Sequence, residues 1–267
     1  MAKVLGASGR YVSQEAIKQS RRIFLHLIVV GIVLGAIVGF IFANAFHTRQ
    51  LPGWLQILIP VFCLAAVVAL TRWSYRKLDA LERKRSAMRR VAAGEIQVGN
   101  ILADLPDDFC VVNDLATPFG NLDHVVVGPT GVFVLDTKNW RGVVSADGQG
   151  ELLLNGQKTD KPYVRQFVGR MLGSKNKVLV LTQGLDPFYQ AVFVFTAARV
   201  DARWGATGSV HCVRDDQLYE YIVEKNFGRR LRPDQVQGIA QAFLGLAHMD
   251  REFAQMQTSE RTNAQPE

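Results

Sequence analysis

The hydrophobic positions divide the chain into two unlike parts. In the first third they form long runs: residues 23–46 (IFLHLIVVGIVLGAIVGFIFANAF) carry no formal charge over 24 residues, and a second such run occupies 55–71. The first is long enough to cross a bilayer core as a helix. The second is bracketed by Trp54 and Trp73, roughly 28 Å apart on a helix at about 1.5 Å per residue, a spacing that suits an interfacial aromatic belt. Neither run has the polar face of a buried soluble helical hairpin. Ala43-Asn44-Ala45 resembles a cleavage site, but the run is longer than a signal core and a second run follows it. Beyond residue 75 the runs shorten. Leu78, Leu81, Met88 and Val91 make a patchy stripe on a basic helix over 75–93, and Val98, Ile101, Leu102 and Leu105 mark one face of a helix over 95–105.

From Pro106 onward the pattern is that of a sheet with helices. Strands are expected at 109–112, 143–145, 152–154, 190–196 and 210–213, and helices at 162–180, 217–224 and 233–247. The near-continuous apolar string QAVFVFT at 190–196 suits a strand covered on both sides. The expected class is α/β: a mixed sheet flanked by helices, preceded by two transmembrane helices. The domain reading is a flexible arm over 1–22, a two-helix membrane hairpin over 23–74, a basic stalk over 75–93, a folded domain over 94–254, and a disordered tail over 255–267.

Within the folded part, residues 120–141 (GNLDHVVVGPTGVFVLDTKNWR) carry the candidate chemistry. Val125–Val127 and Val132–Leu135 flank a Gly-Pro-Thr-Gly turn, which reads as a β-hairpin. An even-length turn centred between Pro129 and Thr130 pairs Val127 with Val132, Val125 with Val134, and Asp123 with Asp136. Alternation then puts Lys138 on the face of Asp136 and His124 on the face opposite Asp123. Two carboxylates directly opposite are destabilising unless something offsets them. The residues alone leave two readings open: a divalent cation held by oxygen ligands with Lys138 beside it, or a hairpin end at which both aspartates splay into water. Asn139, Trp140 and Arg141 follow directly and either touch a polymeric ligand or, for Trp140, cap the core.

Charge changes the picture of the first third. Residues 1–90 hold 14 Lys/Arg and 3 Asp/Glu, whereas residues 91–267 hold 17 and 21. The basic excess therefore belongs to the membrane-proximal part. It implies an integral membrane protein with both termini and the folded domain on the cytoplasmic side, facing the lipid bilayer and its anionic headgroups. His26 and Asn44 in the first run suit helix contacts better than a transport path. Cys63, Cys110 and Cys212 are odd in number and widely spaced, without CxxC, which suits buried free thiols. Walker, GxSxG, HExxH and strand-helix GxGxxG motifs are lacking, which removes support for NTPase, esterase, zincin and Rossmann readings.

Taken together, Gly94-Glu95 with Val98, Asn121-Leu122-Asp123-His124 leading into VVVGPTGVFV, Asp136-Thr137-Lys138-Asn139 with Gly142, and Pro162 with Gln166 resemble the NERD, or nuclease-related, domain of the PD-(D/E)XK endonuclease-like group. The likeness spans about residues 91–223. It implies a restriction-endonuclease-like fold with the hairpin at its centre, and metal-dependent hydrolysis of phosphodiester bonds in DNA or RNA. It further implies Mg²⁺ or Mn²⁺ as cofactor, Glu95, Asp123 and Asp136 as metal-binding acids, Lys138 as the motif lysine, and Gln166 as a helix residue near the site. The last motif has Asp where many of the wider group have Glu, which would hold a metal about one methylene nearer its strand. A non-catalytic membrane adaptor using the same fold is the competing function. The acidic balance after residue 90 favours it, and the acid-acid-lysine set favours the enzyme.

Overall fold

A computed structural model describes residues 1–6, 10–45, 52–202, 210–224 and 230–246. The tail over 255–267, most of the loop between the two apolar runs and the side chains of Asn44 and Cys63 lie outside the described residues. The chain separates into two compact units, Val12–Arg89 and a second made of Met1–Tyr11 with Arg90–Glu267.

Nearly all the described residues of Val12–Arg89 are helical. Helix α1 spans Arg10–Ala45, and helix α2 spans Gly53–Ala103, so its last turns belong to the other unit. Among the described residues one stretch, Ser20–Gly39, is long and apolar enough to cross a membrane, with a hydropathy of 2.3. The expectation of two such helices is thereby reduced to one candidate. Phe24, Leu25, Ile32 and Val38 on it are exposed. α1 meets α2 where His26 Nε2 lies 3.2 Å from Ser74 Oγ and its ring stands 5.5 Å from Trp73, which makes His26 the helix-contact residue its position suggested.

The other unit is built on a six-stranded mixed sheet in the order β1-β2-β3-β4-β8-β10. Its strands are β1 Lys3–Leu5, β2 Cys110–Thr117, β3 Gly120–Gly128, β4 Gly131–Lys138, β8 Tyr189–Phe195 and β10 Val210–Arg214. β2, β3 and β4 are antiparallel neighbours, and β8 and β10 run parallel to β4. β1 runs parallel to β2, with Val4 opposite Val111. The polar arm expected over 1–22 is thus corrected: residues 3–5 close one edge of the sheet and helix begins at Arg10, because backbone pairing requires no apolar pattern on a three-residue strand. A second sheet, β7-β6-β5-β9, comprises β5 Gly142–Ala146, β6 Leu152–Leu154, β7 Gln157–Lys158 and β9 Ala198–Val200.

Both faces of the large sheet are covered, so its strands read as continuous apolar runs. On one face Val125, Val127, Val132, Val134 and Phe193 pack with Phe167 and Met171 of α3, which spans Tyr163–Leu181. Helix α5, residues 233–246, adds Ile239 and Phe243 to the same core. On the other face Val126, Phe133 and Leu135 pack with Val98 and Leu102 from the end of α2 and with Tyr221 of α4, Asp215–Glu224. Cys110 and Cys212 are buried free thiols. Gly94, expected to mark a boundary, lies inside α2. A Cβ there would sit 3.2 Å from Thr196 Oγ1 and 3.5 Å from Asn139 Cβ, so glycine lets the helix lie close to the strand ends and delivers Glu95 beside them.

Candidate active site

The β3–β4 ladder starts at Gly128 opposite Gly131 and runs through Val127–Val132 and Val125–Val134 to His124–Leu135. The two-residue Pro129-Thr130 loop has the even length that sets this register. Pairing stops one residue short of Asp123 and Asp136. From there β3 continues with β2 alone, to Gly120 opposite Thr117, while β4 continues with β8, to Lys138 opposite Phe195. The two strands part, and their backbone groups need other partners. Asp123 supplies one: its Oδ2 accepts from the Thr137 amide at 2.7 Å.

A cavity of about 650 Å³ opens at this parting. Glu95, Asp123, Asp136, Lys138 and Gln166, the five residues nominated from sequence, all line it, with Phe119, Tyr163 and Arg170. They come from α2, β3, β4 and α3, so the constellation exists only in the folded sheet-and-helix sandwich. Asp136 and Glu95 are buried, whereas Lys138 is partly exposed to the cavity.

Charge in the cavity is unevenly shared. Asp136 Oδ1 pairs with Lys138 Nζ, and Asp136 Oδ2 accepts from Arg170 Nη2 at 2.6 Å. Among the described residues Glu95 has no such partner. Burial first, then the carboxylates of Asp123, Asp114 and Asp136, push its pKa up to about 8. Burial and the nearby Asp136 raise Asp123 to about 7, against the lowering pull of Lys138, the Thr137 amide and Arg170. Perturbed acids in a cleft mark functional sites more often than chance, although structural ion pairs perturb acids too.

Two residues of this arrangement escaped the sequence reading. Arg170 lies one turn beyond Gln166 on α3, and the polar pair at i, i+4 beside apolar Phe167 and Met171 is the signal that could have shown it. Its Nη1 donates to Asn121 O at 2.6 Å, so the guanidinium straddles the gap between β3 and β4. Asp114 stands opposite Asp123 in the β2–β3 register but interrupts the ladder, with φ at +54°. Its placement required knowing that Asn113 pairs His124.

His124 is buried, and its Nδ1 lies 2.8 Å from Asn113 Oδ1. Burial lowers its pKa to about 4, which keeps it neutral and structural. Trp140 packs edge-on against Tyr163 at 4.9 Å and tilted on Phe195 at 5.6 Å, closing the margin of the core. Asn139 Nδ2 donates to Arg90 O at 2.7 Å, tying the end of β4 to α2.

Among the described residues, no three His, Cys, Asp or Glu side chains converge as a ready metal-binding group. Asp136 faces two cations and Asp123 faces an amide. The donor chemistry nonetheless fits a hard divalent ion: Glu95 and Asp123 are carboxylates held toward their neutral forms by burial and by neighbouring carboxylates, a state that a cation reverses.

Residues 90–196 match the family model of NERD, the nuclease-related domain. This segment contains β2 to β8 and every side chain that the sequence nominated for the site. No curated protein matches the chain, and no solved structure matches it.

Proposed function

We propose that this chain is a membrane-anchored, metal-dependent nuclease that hydrolyses phosphodiester bonds of DNA or RNA on the cytoplasmic side. One observation carries the reading: Glu95, Asp123, Asp136 and Lys138 line a single cavity inside the segment that matches a nuclease-related domain. Mg²⁺ or Mn²⁺ would be held by Asp123 and Asp136 with Glu95, and when bound would supply Lewis acidity and an acidified water. Lys138 approaches the substrate from β4, its ammonium oriented by Asp136 and lying 5.2 and 5.5 Å from the ring centroids of Tyr163 and Phe193. It stabilises negative charge building on the phosphate and orients the attacking water. Its ion pair with Asp136 suits this role better than that of general base. Gln166 offers an amide to the same space, and Phe119 and Tyr163 wall it.

The sheet and the chain order together support the anchor. β1 pairs with β2, so residues 3–5 and the nuclease-like domain lie on one side of any bilayer. If Ser20–Gly39 crosses, the chain must recross before Arg90, and the apolar run 55–71 is the stretch suited to it. The arginine and lysine residues flanking both runs support a cytoplasmic side beside anionic headgroups.

The competing reading, a non-catalytic adaptor, draws on the acidic balance of residues 91–267, since phosphate-binding surfaces are usually basic. The decisive assay is cleavage of labelled single- and double-stranded DNA and RNA by the full chain in detergent, with Mg²⁺ or Mn²⁺. The full chain is required because β1 is part of the sheet. Cleavage that vanishes with chelator and in Asp136→Ala and Lys138→Ala supports the nuclease. Equal cleavage by wild type and both variants exposes a contaminant, and that result or no cleavage at all favours the adaptor.

A further inference from the structure

Asp136 is the only acid of the site whose two oxygens are both occupied by cations among the described residues, and the two cations are unlike. Lys138 stands two residues away on the same strand, its ammonium against the rings of Tyr163 and Phe193. Arg170 reaches in from another element, α3. Its side chain is 27 % exposed against 5 % for Asp136. Apart from Asp136, its contacts among the described residues are one neutral hydrogen bond, to Asn121 O, and the Phe167 ring, whose centroid is 5.6 Å from Cζ. Its stem passes Gly120, where a Cβ would come within 2.8 Å of Cδ, so the sequence keeps a channel open for it.

A divalent ion on Asp136 would meet two positive charges at the same carboxylate, and mutual repulsion requires one of them to leave. Lys138, two residues from Asp136 on the same strand, keeps its ammonium beside that carboxylate and the two rings. The arginine has the longer reach and the more open flank, 27 % exposed against 16 % for Lys138, and its planar fork matches a phosphate bidentately. We propose that Arg170 is an exchangeable counter-ion: it neutralises Asp136 while the metal is absent, yields that carboxylate to the arriving metal, and then clamps the phosphate of the nucleic acid. Arg170 thereby couples metal loading to substrate binding. The proposal rests on the nuclease reading above, and adds that metal and guanidinium compete for one carboxylate.

Competition has a signature separate from turnover. Mn²⁺ binding is measured by calorimetry on the full chain in detergent for wild type, Arg170→Ala, Arg170→Gln and Asp136→Ala, with the Mn²⁺-induced rise in Tm read alongside. Loss of the competitor should tighten Mn²⁺ binding by about tenfold and enlarge the Tm rise in both Arg170 variants. In Mn²⁺, anisotropy of a fluorescent phosphorothioate oligonucleotide should report binding weakened by about tenfold in the same variants. The near-isosteric Arg170→Gln keeps the test open if Arg170→Ala does not fold. Unchanged or weaker Mn²⁺ binding in the Arg170 variants, with binding lost in Asp136→Ala, overturns the exchange and leaves the metal site standing. Absence of Mn²⁺ binding in all four proteins removes the metal reading and the exchange with it.

Discussion

The two ends of the β3–β4 hairpin differ in what satisfies them. At the turn end, Val125–Val127 and Val132–Val134 are paired across the ladder and buried on both faces. At the open end, one residue beyond His124 and Leu135, the ladder stops, each strand keeps a different neighbour, and aspartates replace valines. The turn end is held by apolar burial, which involves no titrating group. The open end is held by an amide-carboxylate bond and by two cations on one acid. Stability and candidate chemistry thus occupy adjoining residues of the same strands without sharing side chains, so substitutions should separate them.

The largest separation is expected at neighbouring positions of β4. Asp136→Asn, which keeps the shape, should lower cleavage by at least about a hundredfold with the chain still folded, read by rate and circular dichroism together. Leu135→Ala, one residue earlier and fully buried, should cost about 2–5 kcal/mol in denaturant unfolding. Equal stability loss at the two positions would erase the distinction. A smaller effect is expected where the strands part. Gly120 has φ of +119° beside the Arg170 stem, so Gly120→Ala should cost about 1–3 kcal/mol and disturb the site from outside it.

The smallest effect concerns pH. Glu95, raised to about 8, and Asp123, raised to about 7, keep their protons in the folded chain at pH values where the unfolded chain has released them. Each therefore costs stability progressively as pH climbs from its ordinary value, near 4, through its folded value. Glu95→Gln should raise Tm by about 2–4 °C at pH 8 and leave it nearly unchanged at pH 4.5. Mg²⁺ should flatten the wild-type slope over the same range. His124, with a pKa lowered to about 4, works in the opposite sense: its contribution is complete above about 6.5 and fades as pH falls toward 4.

Much of this was legible in the chain because it is local. The Gly-Pro-Thr-Gly turn fixes an even loop, the loop fixes the register, and the register brings Asp123 and Asp136 to the same level, with Lys138 two residues on. Periodicity placed α3, β8, β10 and α4 to within a few residues. Only tertiary structure could show that the hairpin opens just where its acids begin, since that depends on β2 and β8 drawing the two strands apart. The roles of Arg170, Asp114 and Lys3–Leu5 were hidden for the same reason. Each is defined by a partner 34 or more residues away for the arginine, across an interrupted ladder for Asp114, and more than a hundred positions along the chain for β1. Side-chain pattern records which face an element buries; it does not record which distant backbone or charge completes it.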